Sequence, residues 1–252
     1  MKKTGLVLSS LFFIFVLIVS SCGDDSTDDG NNTGTGTGTS TGTGTGTGTG
    51  TSTGTGYDSD CYAHFPFDEG TGNMTMGKGT GGEFECSISM PTWTEGHFNY
   101  ALEFKKQGNR IEIGDPDEFN DGKPVRFTFW LYVYDTSLPQ YHYLIDTYTN
   151  DSPYANCGYI LRLYGSKISV VTANGEVFYY GSEKGVMENQ WSFIEFNLDN
   201  DHVVVKVDGE IGLDITVVKP SKSGKKLVVG DKLDGQDGYS TNGIIDDLKI
   251  YK

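Results

Sequence analysis

Basic charge, histidine, cysteine and long apolar runs are all scarce in this chain, and each shortage removes a class of function. Lys and Arg total 19 against 34 Asp and Glu, a net charge of −15. That balance excludes nucleic acid and direct docking on anionic lipid as partners. His64, His97, His142 and His202 stand isolated in sequence, and none neighbours a Ser or Cys in a recognisable nucleophile motif. The 4 cysteines contain no Cys-x-x-Cys spacing, so a zinc site is not expected. The longest mainly apolar stretch, Leu6 to Val19 with Ser9 and Ser10 within it, is shorter than the roughly 18 residues a spanning helix needs. From Tyr62 onward no helical period lasts beyond a turn or two.

What is present divides into three parts. Lys2 and Lys3 precede the apolar stretch, which runs into Ser20-Ser21-Cys22. A basic start, a short greasy core and small residues before a cleavage point read as a secretory signal over residues 1–21. The cysteine after the small pair resembles a bacterial lipobox, making Cys22 the expected lipidated first residue of the mature chain. Residues 22–56 follow: Asp24, Asp25, Asp28 and Asp29, then a Thr-Gly alternation from Thr33 to Gly56 broken by Ser40 and Ser52. Nothing there can bury apolar surface, so ordering its backbone is not offset and a disordered linker is expected. Its typical end-to-end distance would be roughly 25–30 Å. Residues 57–252 remain, enough for one domain with a real core.

That domain reads as short strands separated by turn residues. Val125, Phe127, Phe129, Leu131 and Val133 alternate with Arg126, Thr128, Trp130, Tyr132 and Tyr134. The first set is a sandwich interior, and the second is an amphipathic outer face. Similar runs begin near Tyr62, Ala101, Asn109, Tyr141, Gly158, Lys167, Val177, Trp191, His202, Ile211, Leu227 and Ile244. Asn174-Gly175, Asn200-Asp201 and Asp208-Gly209 lie between apolar runs and predict hairpin turns. The pattern predicts an all-β, two-sheet antiparallel sandwich. Cys61, Cys86 and Cys157 leave either one disulfide, Cys61–Cys86 being closest in sequence, or three small buried hydrophobes.

Five segments in order resemble the concanavalin A-like, laminin G-like jelly roll. They are His64-Phe65-Pro66-Phe67-Asp68-Glu69-Gly70, Gly96 to Phe104, Phe127-Thr128-Phe129-Trp130-Leu131, Trp191 to Gly209, and Gly243-Ile244-Ile245-Asp246-Asp247-Leu248-Lys249-Ile250-Tyr251. The resemblance implies the fold more than a function, because such jelly rolls serve lectins, adhesion modules, glycosidases and spacers. It also implies a structural calcium where the first and last strands meet, with Asp68 and Asp246 as oxygen donors; the alternatives for Asp246 are to accept backbone N–H groups at a strand start or to pair with an Arg or Lys. Strict alternation places Asp246 on the face of Leu248 and Ile250, pointing inward. Glycosidases of this fold resemble one another in a Glu-x-Asp-x-x-Glu strand, and Glu-x-Asp occurs nowhere here, so no enzyme activity is expected.

Candidate ligand-binding residues are Arg126, Trp130, Tyr132 and Tyr134 on the outer face, with Tyr148, Tyr154 and Tyr239 in loops at one edge. Sugar rings stack on such aromatics and Arg bridges hydroxyls or carboxylates. The same outer rings could instead be covered by a neighbouring loop as a second small core. Asp231, Asp234 and Asp237, at three-residue spacing, lack the alternate acids of an EF-hand and read as a solvated loop. The expected function is a lipid-anchored module in the cell envelope, at the outer membrane or cell surface, binding glycan or a surface protein partner. The alternatives are a structural or assembly subunit, and an unrecognised polysaccharide hydrolase. Membrane contact would run through the N-terminal lipid only.

Overall fold

A computed structural model describes residues 60–137, 141–149, 156–232 and 241–252. These hold sixteen antiparallel strands and no helix. Cys22, Tyr154, Asp234, Asp237 and Tyr239 lie outside the described residues.

The strands form two layers. One contains β1 (Ala63–Phe65), β2 (Met74–Gly79), β3 (Gly82–Ser89), β4 (Thr92–Glu95), β5 (Tyr100–Phe104), β7 (Val125–Val133), β12 (Trp191–Asp199), β13 (His202–Val207), β14 (Glu210–Thr216) and β16 (Gly243–Tyr251). The other runs β11 (Val177–Gly185), β10 (Lys167–Asn174), β9 (Cys157–Tyr164), β8 (Tyr141–Asp146), β15 (Leu227–Val229) and β6 (Arg110–Ile113). Strand β3 belongs to both: its first part pairs β2, while Ile88 and Ser89 pair β6. Strand β16 sits centrally in the first layer, with β7 on one side and both β5 and β1 on the other.

The period of two places the core. Val125, Phe127, Phe129, Leu131 and Val133 are all buried, and face Leu144, Tyr159, Leu161, Leu163, Ile168 and Val170 from the opposite layer. Each fully buried side chain of this size contributes on the order of 1.5–3 kcal/mol. Tyr159 fits the interior because its hydroxyl donates to the Phe119 carbonyl at 2.6 Å. The three predicted hairpin turns join the expected strands. Asp199 pairs His202 and Val207 pairs Glu210, leaving two-residue turns, whereas Ala173 pairs Val177 and leaves three residues around Gly175.

The first strands diverge most from the sequence reading. Strands β2, β3 and β4 were not foreseen, since Met74 to Glu95 offers no sustained apolar alternation. Cys86 is a free, buried thiol, and burial pushes it up to about 11. The Cys61 thiol instead donates to the Ala63 carbonyl at 3.1 Å, so no Cys61–Cys86 bridge forms.

Candidate functional site: a tyrosine face around Arg162

The outer face of β7 is largely roofed. The His97 ring, from the β4–β5 connection, stacks on Trp130 with centroids 3.7 Å apart, and Phe98 and Phe193 close in beside it. Tyr132 packs edge-on to both Tyr134 and Trp191. The Tyr134 hydroxyl donates to Glu103, and burial followed by that contact raises its pKa. Arg126 stands apart, its guanidinium 3.9 Å over the Tyr251 ring, in a separate groove with Glu195 and Lys206. The four predicted outer-face residues therefore form no single open platform. Trp130 in particular belongs to the covered arrangement.

Asp246 is buried, but against the opposite face from the one alternation indicated. Asp247 adopts φ 50° and the pairing of β16 with β7 slips between Asp246 and Lys249. This bulge inserts one residue, so Ile245 and Leu248 both face the core while Asp246 points away from it. Asp246 Oδ2 accepts the Phe98 N–H at 2.8 Å, and the N–H groups of Asp247 and His97 also favour its charge. Oδ1 has no hydrogen-bond partner. Burial outweighs these contacts and pushes the carboxyl up to about 6. Its neighbour behaves oppositely. Burial would raise Asp247 too, yet His64 at 2.6 Å and Lys249 at 3.1 Å lower it overall.

These donors do not fit calcium, which takes six to eight oxygens. Asp68 is exposed, Asp246 is engaged by N–H donors, and no group of three His, Cys, Asp or Glu side chains able to hold a metal exists among the described residues. Asp231 also departs from expectation. It is fully buried rather than solvated, accepting from the Gly108 N–H and, at 2.7 Å, from the Lys232 N–H.

The open aromatic surface lies on the other layer. Alternation puts Tyr141 and Tyr143 of β8, Arg162 and Tyr164 of β9, Ser169 of β10 and Tyr179 of β11 on the face away from the core. Cross-strand register then assembles them: Tyr143 and Ser169 flank Arg162, Tyr141 opposes Tyr164, and Gly181 opposes Ser169. Small residues at 169 and 181 leave a groove of about 260 Å³ over which the rings stand. The Arg162 guanidinium lies 3.7 Å over the Tyr141 ring, with Tyr179 at 5.2 Å and Tyr143 at 5.8 Å. Its Nη1 donates to the Tyr143 hydroxyl at 3.3 Å. Tyr164 and Tyr179 are 49% and 66% exposed; Tyr164 packs on the Tyr141 ring at 4.9 Å, and the remaining ring surface is open to a ligand.

Among the predicted residues that are described, Tyr148 alone joins this region, packing on the small cluster of Tyr143, Ile160 and Val171. Its hydroxyl donates to Asn156 Oδ1 at 2.9 Å. Sequence reading missed Arg162, although the alternation within β8 and β9 carried the signal; only the register between strands was lacking.

Residues 105–252 match the family model of the concanavalin A-like lectin/glucanases superfamily, of laminin G type, across more than half of the chain. The chain belongs to this superfamily. Solved structures with the same superfamily-like fold include the binding domain of botulinum neurotoxin serotype D, at TM-score 0.58 and 13% identity over 77% of this chain and 48% of that one. The serotype G binding domain matches at TM-score 0.56 and 13% identity, over 76% and 47%. The binding domain of botulinum neurotoxin DC in complex with SialylT matches at TM-score 0.55 and 12% identity, over 76% and 48%. The chain thus spans about half the length of these structures, and the likeness concerns the fold. No curated protein matches.

Proposed function

We propose that this superfamily member is a lipid-anchored, extracytoplasmic module that binds glycan through the tyrosine face around Arg162. One observation carries the reading: exposed rings of Tyr164 and Tyr179 border a groove whose floor is a guanidinium. Aromatic rings offer apolar faces to sugar C–H groups, while the hydroxyls and the guanidinium donate to sugar oxygens. Membership of a lectin-containing superfamily supports it, as does a fold shared with domains solved as binding domains, one of them with SialylT. No Glu-x-Asp pair is present to support hydrolysis. The anchor rests on Lys2, Lys3, the Leu6–Val19 stretch and Ser20-Ser21-Cys22.

Glycan-array binding by the purified protein tests the reading. Tyr179→Ala and Tyr164→Ala should each lower binding by about tenfold, as losing a stacked ring does, while Trp130→Ala should lower thermal stability more than affinity. If the wild type binds no glycan and instead brings down stoichiometric partners from intact membranes, the module is an assembly subunit.

A further inference from the structure

The groove carries a charge character opposite to that of the chain. Acidic residues outnumber basic ones 34 to 19. Yet the charged residues lining the groove are Arg162 and Lys167, with no Asp or Glu among them. We infer that the groove takes a sugar bearing a carboxylate, a uronic or sialic acid residue, held by Arg162; this rests on the glycan-binding reading above.

Arg162 is 5% exposed and has no carboxylate partner among the described residues. Its Nη1 is spent on the Tyr143 hydroxyl, and Nε is buried without a hydrogen bond. A guanidinium so far removed from water ordinarily has an anion and a full set of acceptors. Here tyrosine rings take the anion's place, and each cation–π contact offsets only part of the desolvation. The missing partner is an anion, and the groove is where it can enter.

Geometry places the anion. The Tyr141 ring lies against a face of the guanidinium, Nε is buried and Nη1 meets the Tyr143 hydroxyl, so Nη2 is the nitrogen left for a ligand. A carboxylate oxygen accepts a short, charge-assisted hydrogen bond from such a nitrogen. Lys167, exposed at the start of β10, adds a second cation at the rim. The rings of Tyr164 and Tyr179 then serve the sugar that carries the acid.

Calorimetric titration of the full chain in detergent with matched pairs tests this: trigalacturonate against its methyl ester, sialyllactose against lactose, and a glucuronate disaccharide against its glucose counterpart. In at least one pair the acid should bind about tenfold or more tighter, the scale of a charge-assisted bond. Arg162→Gln should erase that preference by weakening the acid far more than its neutral counterpart, and Arg162→Lys should restore part of it, since lysine keeps the charge but not the guanidinium. Lys167→Gln, at an exposed position, should weaken the preference by a few-fold without any risk to folding. Neutral glycans bound as tightly as their acids, or a preference unchanged in both Gln variants, would overturn the carboxylate assignment and leave glycan binding standing. No binding to any glycan would remove the glycan-binding reading and this inference with it.

Discussion

Asp246 and Asp247 are adjacent carboxyls with opposite responses to acid. Asp247 is lowered by His64 and Lys249, so its contribution is present above the ordinary carboxylate range and is lost as pH falls. Asp246 is raised to about 6 by burial. Between the ordinary value of 3.8 and about 6, the unfolded chain gives up this proton before the folded chain does. Its contribution is therefore complete below the lower value and declines as pH rises through the upper one. Asp246→Asn keeps an oxygen for the Phe98 N–H and carries no charge. Relative to wild type, the variant should gain stability from pH 4 to 6 and hold that gain above. The size should be roughly 1–2 kcal/mol once solvent screening is allowed for. Thermal melts of both proteins across that range check it, and parallel curves would refute the protonation of Asp246.

Two glycines at the element scale share a left-handed backbone but differ in their surroundings. Gly209 has φ 80° in the β13–β14 turn, and a Cβ there would meet nothing within 4 Å. Gly230 has φ 95° just after β15, and a Cβ there would sit 2.1 Å from the Phe104 ring. Gly209→Ala should cost about 1 kcal/mol, from backbone strain alone. Gly230→Ala should cost roughly 3 kcal/mol or more, because an overpacked core adds to the strain. Urea unfolding separates the two. The same contrast shows which elements were legible in the sequence. Asp208-Gly209 between apolar runs announces its turn, and Val125 to Val133 announces its core face, because both signals are local. Strand β2 announces nothing: Gly77 is small because the Phe65 ring lies over it, where a Cβ would come within 2.4 Å. The site was less legible for the same reason. Arg162 acquires meaning only from Tyr143 and Ser169 in neighbouring strands, and one inserted residue at Asp247 reversed the face of Asp246.

At the scale of the whole molecule, charge and attachment set the terms of encounter. An acidic body repels acidic polymers at long range, so recognition of an acidic sugar must come from contacts inside the groove, with raised salt screening the general repulsion. Attachment is predicted to rest on one atom. Cys22→Ser should move the protein from the detergent phase to the aqueous phase on phase partitioning and leave glycan binding by the purified domain unchanged. Retention of the variant in the detergent phase would refute the lipid anchor.

Strand β16 also constrains when this domain can be born. The last nine strand residues, Gly243 to Tyr251, lie between strands drawn from near the beginning and the middle of the described chain. Until they emerge from the ribosome, that layer is three fragments (β1 to β3, β4 with β5, and β7 with β12 to β14) with raw edges and no seam between them. That layer closes only when Gly243 to Tyr251 arrive, so its assembly waits on pairings between segments far apart in sequence, which form slowly.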